Sequence, residues 1–247
     1  MKDTGVAGPT RALATEQPLK LAVPRGALFP PTLDALEAVG IDVTELRGDS
    51  RSMVFEADGL MLVTMRPSDV PTYVEAGAAD LGITGKDVLM EQHDRVVYEL
   101  LDLGYGECRM VVAGRQGDER LGESERRLGS MRIATKYPRS AERHFEATGR
   151  QAEVIEVKGS VELAPLVGLA DGIVDLVDTG RTMKENGLEV REEIAVCTAR
   201  LVANRVAHKL RPREVDSLVD RLRAGLEGGD STRRRVDSGT GTDKRSP

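Results

Sequence analysis

The chain has 247 residues, of which 40% are apolar, and its 35 Lys and Arg against 41 Asp and Glu give a formal charge of -6. This size and apolar content allow one large or two small cores. No basic stretch flanked by aromatic residues is present, which disfavours nucleic acid as a partner. No apolar run reaches the roughly 18 residues that span a bilayer, and the polar stretch 1–18 lacks the apolar run of a signal peptide, so we expect a cytoplasmic protein without a membrane partner.

Short apolar runs alternate with helical patterns along most of the chain, which is typical of an α/β fold with mainly parallel strands. The apolar runs predict strands at 19–23, 60–65, 81–84, 109–113, 132–134, 154–157, 173–177 and 195–203. Helices are predicted to begin near Pro31 and at 68–71, and to cover 141–148 and 161–167. A last amphipathic helix is predicted over 205–227, where apolar residues repeat at helical spacing (Val215, Leu218, Val219, Leu222 and Leu226).

Two glycines, Gly104 and Gly106, join two apolar runs and suit a crossing between domains, because glycine adopts backbone conformations that other residues avoid. The block after them is interpreted as a second small α/β domain. The two ends of the chain, 1–18 and 228–247, show no periodicity, and we expect both to be disordered.

The two cysteines, Cys108 and Cys197, each lie inside an apolar run and are interpreted as small buried hydrophobic residues in a reducing compartment. We therefore expect no disulfide. The histidines are scattered along the sequence, so a metal site held by protein side chains is not expected either.

The most informative segment for function is 172–182, an apolar strand that runs into the sequence Asp-Thr-Gly-Arg-Thr. Glycine and small hydroxyl residues after a strand let backbone N–H groups and threonine hydroxyls surround a phosphate. The acids Asp175 and Asp178 could hold ribose hydroxyls or magnesium. A strand, a turn and a threonine-capped helix without any ligand would explain the same residues.

The turn 82–86 resembles a nucleotide P-loop but lacks two of its residues. Asp80 stands where the first glycine is needed, and Asp87 stands where a Ser or Thr is needed. A glycine-bounded turn with Lys86 can still face a phosphate, although a strand end with a solvated lysine fits this segment as well.

Three arginines, Arg25, Arg51 and Arg66, lie beside predicted strand ends or turns, where α/β proteins place ligand-binding groups. A guanidinium group is always charged and can bind a phosphate through two hydrogen bonds. Each of the three, taken alone, is equally well explained as a surface residue.

Several segments together resemble the catalytic chains of the ATP phosphoribosyltransferase family, in order from about residue 19 to residue 204. The matching segments are 21–26, 69–75, 77–87, 132–138, 159–165, 178–182 and 185–188. The resemblance implies a two-lobed fold similar to type II periplasmic binding proteins, in which each lobe is a mainly parallel sheet flanked by helices and the active site lies in the cleft. The first, discontinuous lobe would contain 19–104 plus 179–204, and the second lobe 105–178.

The resemblance also implies two substrate-binding regions. The first would bind the phosphate and ribose of phosphoribosyl pyrophosphate (PRPP), through Glu162, Asp175, Asp178, Thr179, Gly180, Arg181 and Thr182. The second would bind ATP across the cleft, through Arg66, Asp69, Tyr73, Gly85, Lys86 and Tyr105.

Arg51 matches a leaving-group arginine of the family, and Arg25 is the second residue expected to stabilise the departing pyrophosphate. Many relatives have Lys-Gly-Arg after the first strand, whereas this chain has Arg25, Gly26 and Ala27, so one cation is missing. The resemblance implies Mg²⁺ as the cofactor, carried by PRPP and pyrophosphate rather than by protein side chains.

The activity implied is transfer of the phosphoribosyl group of PRPP to N1 of the adenine of ATP, the first step of histidine biosynthesis. After Asn204 we expect one helix and a polar tail, too little for the regulatory domain of long family members. The chain thus resembles the short form, which implies a homodimer within a hetero-oligomer that includes a regulatory subunit similar to histidyl-tRNA synthetase.

Two other functions fit part of the sequence. A solute-binding protein would have the same two-lobed fold, but it would normally need a signal for export. A phosphoribosyltransferase acting on a free base would share a loop like 178–182, but it would not explain the block 77–87.

Overall fold

The computed structural model describes residues 17–48, 51–118 and 129–237, which form two lobes. Each lobe contains one β-sheet flanked by helices, with its own buried apolar residues. The two-lobed α/β architecture predicted from the sequence is therefore confirmed. No helix in the described ranges is long and apolar enough to cross a membrane.

The first lobe is built on a six-stranded sheet with the strand order β2-β3-β1-β4-β11-β5. Its strands are β1 (Leu19–Pro24), β2 (Val54–Ala57), β3 (Leu60–Met65), β4 (Leu81–Gly85), β5 (Val97–Asp102) and β11 (Ala199–Asn204). Its helices are α1 (Phe29–Ala38), α2 (Thr44–Arg47), α3 (Val70–Glu75), α4 (Lys86–Glu91), α8 (Arg205–Leu210) and α9 (Pro212–Asp237).

Close packing of α3 on the sheet depends on a glycine in β4. A Cβ atom at Gly82 would overlap the side chains of Val70 and Val74, both of which are fully buried on α3. Because the backbone of β4 can approach the helix closely here, α3 is held just beyond the carboxyl end of β3, next to the cleft.

The second lobe is built on a five-stranded sheet with the strand order β10-β6-β9-β7-β8. Its strands are β6 (Cys108–Arg115), β7 (Met131–Thr135), β8 (Ala152–Glu156), β9 (Gly172–Val177) and β10 (Leu188–Cys197). Its helices are α5 (Pro138–Ala147), α6 (Leu163–Leu166) and α7 (Arg181–Glu185).

Both sheets are mixed, so the prediction of mainly parallel sheets is corrected in detail. In the first sheet β1 pairs in parallel with β3 and β4, while the pairs made by β2 and β11 are antiparallel. In the second sheet β7 pairs in parallel with β8 and β9, while β6 pairs antiparallel with β9 and β10. Most of the predicted site residues lie at the carboxyl ends of parallel strands, such as Arg25 after β1, Gly85 in β4 and Asp178 after β9.

The chain returns from the second lobe to the first at Thr198, and not at residue 179 as predicted. Cys197 is the last residue of β10 and pairs with Cys108, whereas Ala199 begins β11 and pairs with Gly85 of the first lobe. The single strand predicted over 195–203 is thus two strands in two different sheets. The second lobe accordingly extends to Cys197 and includes α7 and β10.

The C-terminal part of the chain forms two helices where one was predicted over 205–227. The Asn204 side chain accepts hydrogen bonds from the N–H groups of Val206 (2.8 Å) and Ala207 (3.0 Å), which starts α8, and Pro212 starts α9. α9 packs on the first lobe through residues of the predicted stripe. It continues to Asp237, so the disorder predicted from 228 is corrected up to that residue. The rest of that tail, and all of 1–18 except its last two residues, lie outside the described residues.

Candidate active site in the cleft

The seven residues predicted to bind PRPP line one cavity of about 430 Å³ in the second lobe. The loop that follows β9 forms one wall of the cavity, and α7 begins in this loop at Arg181. Gly180 has a φ of 76°, in the left-handed region that favours glycine, and it turns the chain from the strand into the helix. The predicted residues that the cavity brings together are Glu162, Asp175, Asp178, Thr179, Gly180, Arg181 and Thr182.

Asp175 is the buried acid of this cavity, with 7% of its surface exposed. One carboxylate oxygen accepts a hydrogen bond from the Leu176 N–H (2.9 Å), and the other lies 3.8 Å from Nζ of Lys136. Burial raises the pKa of Asp175, and nearby Glu162 adds to this rise, whereas the Leu176 N–H and the Lys136 ammonium lower it. The cavity therefore combines carboxylates, a lysine and hydroxyl groups, a set that can bind both a sugar and a phosphate.

The predicted leaving-group arginines belong to the first lobe, and neither of them lines the cavity in the second lobe. Arg25 directly follows β1, its backbone N–H donates to the Met65 carbonyl (2.7 Å), and its Nε donates to the Thr64 hydroxyl (3.0 Å). One of its terminal nitrogens lies 3.5 Å from the carbonyl oxygen of Ser52. Since Arg51 is exposed and adjacent to Ser52, the structure brings the segments that carry both arginines together.

A second cavity of about 470 Å³ lies between the lobes. The first lobe contributes Pro67, Gly85 and Asp87 to its lining, and Leu176 and Asp178 of the second lobe line both this cavity and the first one. The two cavities therefore adjoin at the end of β9.

The predicted ATP residues fall into three groups. Gly85 lines the interlobe cavity, while Arg66, Asp69 and Tyr73 are exposed on the neighbouring stretch around Pro67.

Lys86 and Tyr105 point elsewhere. Nζ of Lys86 lies 2.7 Å from a carboxylate oxygen of Glu99, and the Tyr105 hydroxyl is 2.9 Å from the Thr32 hydroxyl within the first-lobe core. Burial raises the pKa of Tyr105. Tyr105 is not among the residues that line the interlobe cavity.

Asp87 and Tyr137 are the site residues that the sequence reading missed. The Tyr137 hydroxyl, from the second lobe, donates a hydrogen bond to the Asp87 carboxylate of the first lobe. Burial raises the pKa of Asp87, and hydrogen bonds from the N–H of Val88, its own N–H and Tyr137 lower it. The Asp87 carboxylate folds over Gly85, where a Cβ atom would overlap it. An acid directly after the glycine-bounded turn at the end of a strand was the available signal for this residue.

Helix α4 of the first lobe also contacts α5 of the second lobe. The Glu91 carboxylate accepts hydrogen bonds from the N–H groups of Arg139 and Ser140, both 3.0 Å, in the first turn of α5. Arg143 donates to the carbonyl of Met90. These bonds connect the two lobes beside the cleft. Across the described ranges, no group of three or more His, Cys, Asp or Glu side chains is arranged to hold a metal ion.

Comparisons with known proteins agree on one family. The sequence model of the ATP phosphoribosyltransferase family matches residues 66–224. The chain is 54% identical over 213 residues to an ATP phosphoribosyltransferase of Rubrobacter xylanophilus, covering 85% of this chain and 96% of the relative. It is 47% identical over 216 residues to one of Sorangium cellulosum, covering 86% of this chain and 98% of the relative.

Solved structures show the same likeness. A chain of the ATP phosphoribosyl transferase (HisG:HisZ) complex from Thermotoga maritima superposes with a TM-score of 0.71 at 37% identity, covering 85% of this chain and 99% of that one. The periplasmic aliphatic sulphonate binding protein SsuA from Escherichia coli superposes with a TM-score of 0.55 at 11% identity, covering 88% of this chain and 75% of that one. The second match shows a shared fold alone.

Proposed function

This chain belongs to the ATP phosphoribosyltransferase family, and we propose that its two adjoining cavities bind the two substrates of the family reaction. The enzyme transfers the 5-phosphoribosyl group of PRPP to N1 of the adenine of ATP and releases pyrophosphate, in the first step of histidine biosynthesis. The observation that carries the proposed placement is that Leu176 and Asp178 line both cavities, which would bring C1 of the ribose next to the attacking nitrogen.

PRPP is assigned to the second-lobe cavity. Its 5-phosphate would be bound by backbone N–H and hydroxyl groups of the loop 178–182, and its ribose hydroxyls by Glu162 and Asp175. The burial of Asp175 supports this role. Burial makes the negative charge of this carboxylate unfavourable in the free protein, and hydrogen bonds donated by sugar hydroxyl groups would stabilise that charge.

ATP is assigned to the interlobe cavity, between Gly85 and Asp87 on one side and the loop at Asp178 on the other. Arg66, Asp69 and Tyr73 are close in sequence to Pro67, which lines this cavity. They would contact the exposed part of the nucleotide. Tyr105 would support the site from the first-lobe core, while Lys86, held by Glu99, would act on ATP only after leaving that ion pair.

Bond cleavage at C1 develops positive charge on the ribose and negative charge on pyrophosphate. Arg25 and Arg51 would stabilise the pyrophosphate, and a well-placed donor to a developing charge contributes about 3 kcal/mol. Alignment of the two substrates in adjoining cavities would lower the reaction barrier by roughly several kcal/mol more, because both reacting groups are already held in place. No covalent enzyme intermediate is required.

Mg²⁺ fits this chemistry, because Asp175 and Asp178 line the cavity and carboxylate oxygens are among the ligands that it prefers. We propose that phosphate oxygens and water provide most of its ligands, so that Mg²⁺ is bound together with PRPP. When bound, it would supply charge neutralisation to the pyrophosphate. Titration of PRPP binding with and without Mg²⁺, measured by calorimetry, tests this assignment.

We also propose a regulatory partner of the HisZ type, since the solved relative from Thermotoga maritima belongs to a HisG:HisZ complex and this chain covers 99% of its length. The catalytic chains would form a homodimer within that hetero-oligomer and would work in the cytoplasm, where ATP and PRPP are made. Histidine should inhibit the complex and leave the separate catalytic chain active. Full inhibition of the chain alone by histidine would contradict this.

The activity is tested by mixing the protein with PRPP, Mg²⁺ and ATP and following the absorbance of phosphoribosyl-ATP. The expected result is product formation that requires all four components. Free adenine in place of ATP is the control for a free-base transferase, and product formed with adenine but not with ATP would overturn the proposal.

A further inference from the structure

The two cysteines of the chain meet where it crosses between the lobes. Cys108 is the first residue of β6, just after the crossing at 103–107, and Cys197 is the last residue of β10, just before the crossing at Thr198. The two residues are register partners in the antiparallel pair β6–β10. The sequence alone predicts two small buried residues and no disulfide, because nothing in the local sequence indicates this pairing.

The backbone geometry at this pair suits a disulfide. Directly opposed residues on antiparallel strands have Cα atoms about 4.5–5.5 Å apart, and a disulfide needs a Cα separation of about 4.4–6.8 Å. The two side chains lie on the same face of the sheet, as directly opposed residues do, and both residues line the interlobe cavity. A bond between them would require rotation of two side chains and little movement of the strands.

A reagent in the cleft can reach Cys108, the more exposed member of this pair. Both cysteines line the interlobe cavity, where Cys108 is half-buried and Cys197 is 1% exposed. The hydrogen bond from Cys197 lowers the pKa of Cys108, against the opposing effects of its burial and of Asp87, Asp178 and Glu107. Cys108 is therefore the more accessible thiol and the one that ionises more readily, as the attacking sulfur of a thiol pair should be.

We propose that Cys108 and Cys197 form a reversible disulfide that ties the two interlobe crossings together and slows the transferase reaction. The oxidant would be hydrogen peroxide. The Cys108 thiolate attacks one peroxide oxygen, the O–O bond breaks, and a sulfenic acid and one water form after protonation. The Cys197 thiol then attacks the Cys108 sulfur, the S–O bond breaks, the S–S bond forms and a second water leaves. The two thiols are oxidised by two electrons, and the peroxide is reduced to two waters.

The effect on activity follows from the position of the bond. A cleft between two lobes opens and closes by backbone rotation at the segments that connect them. A disulfide with an S–S length of about 2.05 Å would join the ends of both connecting segments and prevent their independent rotation. Since the cavity that the sulfurs line is the one assigned to ATP, release or entry of nucleotide should slow as well.

The test begins with the reduced full-length chain, treated with hydrogen peroxide and then digested without reductant. The expected product is a single linked peptide pair containing both cysteines, lighter by two hydrogen atoms than the two reduced peptides. Turnover should fall on formation of this link, by roughly tenfold if closing becomes rate-limiting, and should return on reduction with dithiothreitol.

Cys108→Ser is the matched variant, because it removes the attacking sulfur and adds no bulk. Peroxide should form no link in it, and its turnover should stay at the level of its own untreated sample. Cys197→Ser should leave a sulfenic acid at Cys108 that a dimedone probe detects.

Absence of the link in the wild type, or a link that leaves turnover unchanged, would overturn the proposal. The turnover measurement rests on the proposed function, whereas the mass measurement does not. A chain that links its cysteines but never makes phosphoribosyl-ATP would refute the proposed function and leave the disulfide chemistry standing.

Discussion

The Glu91 carboxylate of the first lobe accepts a hydrogen bond from the Ser140 hydroxyl of the second lobe at 2.9 Å, in addition to those from the backbone N–H groups of Arg139 and Ser140. These two N–H groups belong to the first turn of α5, which has no partners for them within the helix. A carboxylate at this end of a helix is stabilising. One side chain thus caps a helix and holds two lobes together.

We predict that Glu91→Ala lowers the free energy of unfolding by about 2 kcal/mol, since it leaves the buried Ser140 and the helix end without their acceptor. Urea unfolding followed by circular dichroism measures the change. Glu146→Ala removes an exposed acid farther along α5 and is the control. It should change the free energy of unfolding little. Equal stability of the two variants would contradict the role of Glu91.

Gly180→Ala should raise KM for PRPP by about five- to thirtyfold. A non-glycine residue in the left-handed region costs roughly 1–2 kcal/mol, so the loop would relax in the free enzyme and would have to be restored on binding. Steady-state kinetics with varied PRPP measures the effect. Gly149→Ala carries the same backbone strain (φ 70°) away from the cavity, and it should lose stability without a change in KM. A similar KM for PRPP in both variants would count against the loop.

Arg51→Ala should reduce kcat by about 10²–10³-fold while KM for ATP stays near the wild-type value, because a leaving-group arginine acts mainly in the transition state. Turnover at saturating PRPP and ATP tests this. Arg213→Ala, which removes an exposed arginine on α9, should behave as wild type. If kcat of the Arg51 variant matches the wild type, the assignment is wrong.

Asp175→Asn should stabilise the free protein at neutral pH and weaken PRPP binding. Burial raises the pKa of Asp175 above its ordinary value of 3.8, so the folded state carries a penalty that is complete above the raised pKa and disappears as the group is protonated. The amide keeps the acceptor oxygen for the Leu176 N–H and carries no charge.

The gain in Tm for Asp175→Asn should therefore shrink as the pH falls toward the raised pKa. Thermal unfolding across a pH series measures it, with the exposed Asp216→Asn as the control. A gain in Tm that is the same at every pH would mean that the carboxylate charge is not its cause.

Much of the fold could be predicted because isolated apolar runs identify strands. The strand predicted at 60–65 coincides with β3, whose buried and partly exposed residues alternate. The antiparallel strand β2 was missed because its four residues are too few for a clear period. The run 195–203 was read as one strand because it stays apolar through Thr198, and only long-range pairing assigns its halves to different sheets.

Some residues of the candidate site could likewise be predicted from the sequence, and others could not. The loop 178–182 is contiguous, so its residues necessarily lie together and the sequence could identify them. Asp87 and Tyr137 come from different lobes, and their contact depends on how the lobes pack. The orientation of the Lys86 side chain could not be predicted either, since its ammonium group pairs with Glu99, thirteen positions away in the sequence.

The central position of β11 has a consequence for how the protein is made. Among the described strands, β5 pairs with β11 alone, and β11 also pairs with β4, yet β11 is separated in sequence from both by the whole second lobe. During translation the strands of the second lobe leave the ribosome as one continuous stretch and can pair at once. Strands β1 to β4 can pair with one another, but β5 must wait for residues 199–204, so the sheet that begins the chain is the last to be completed.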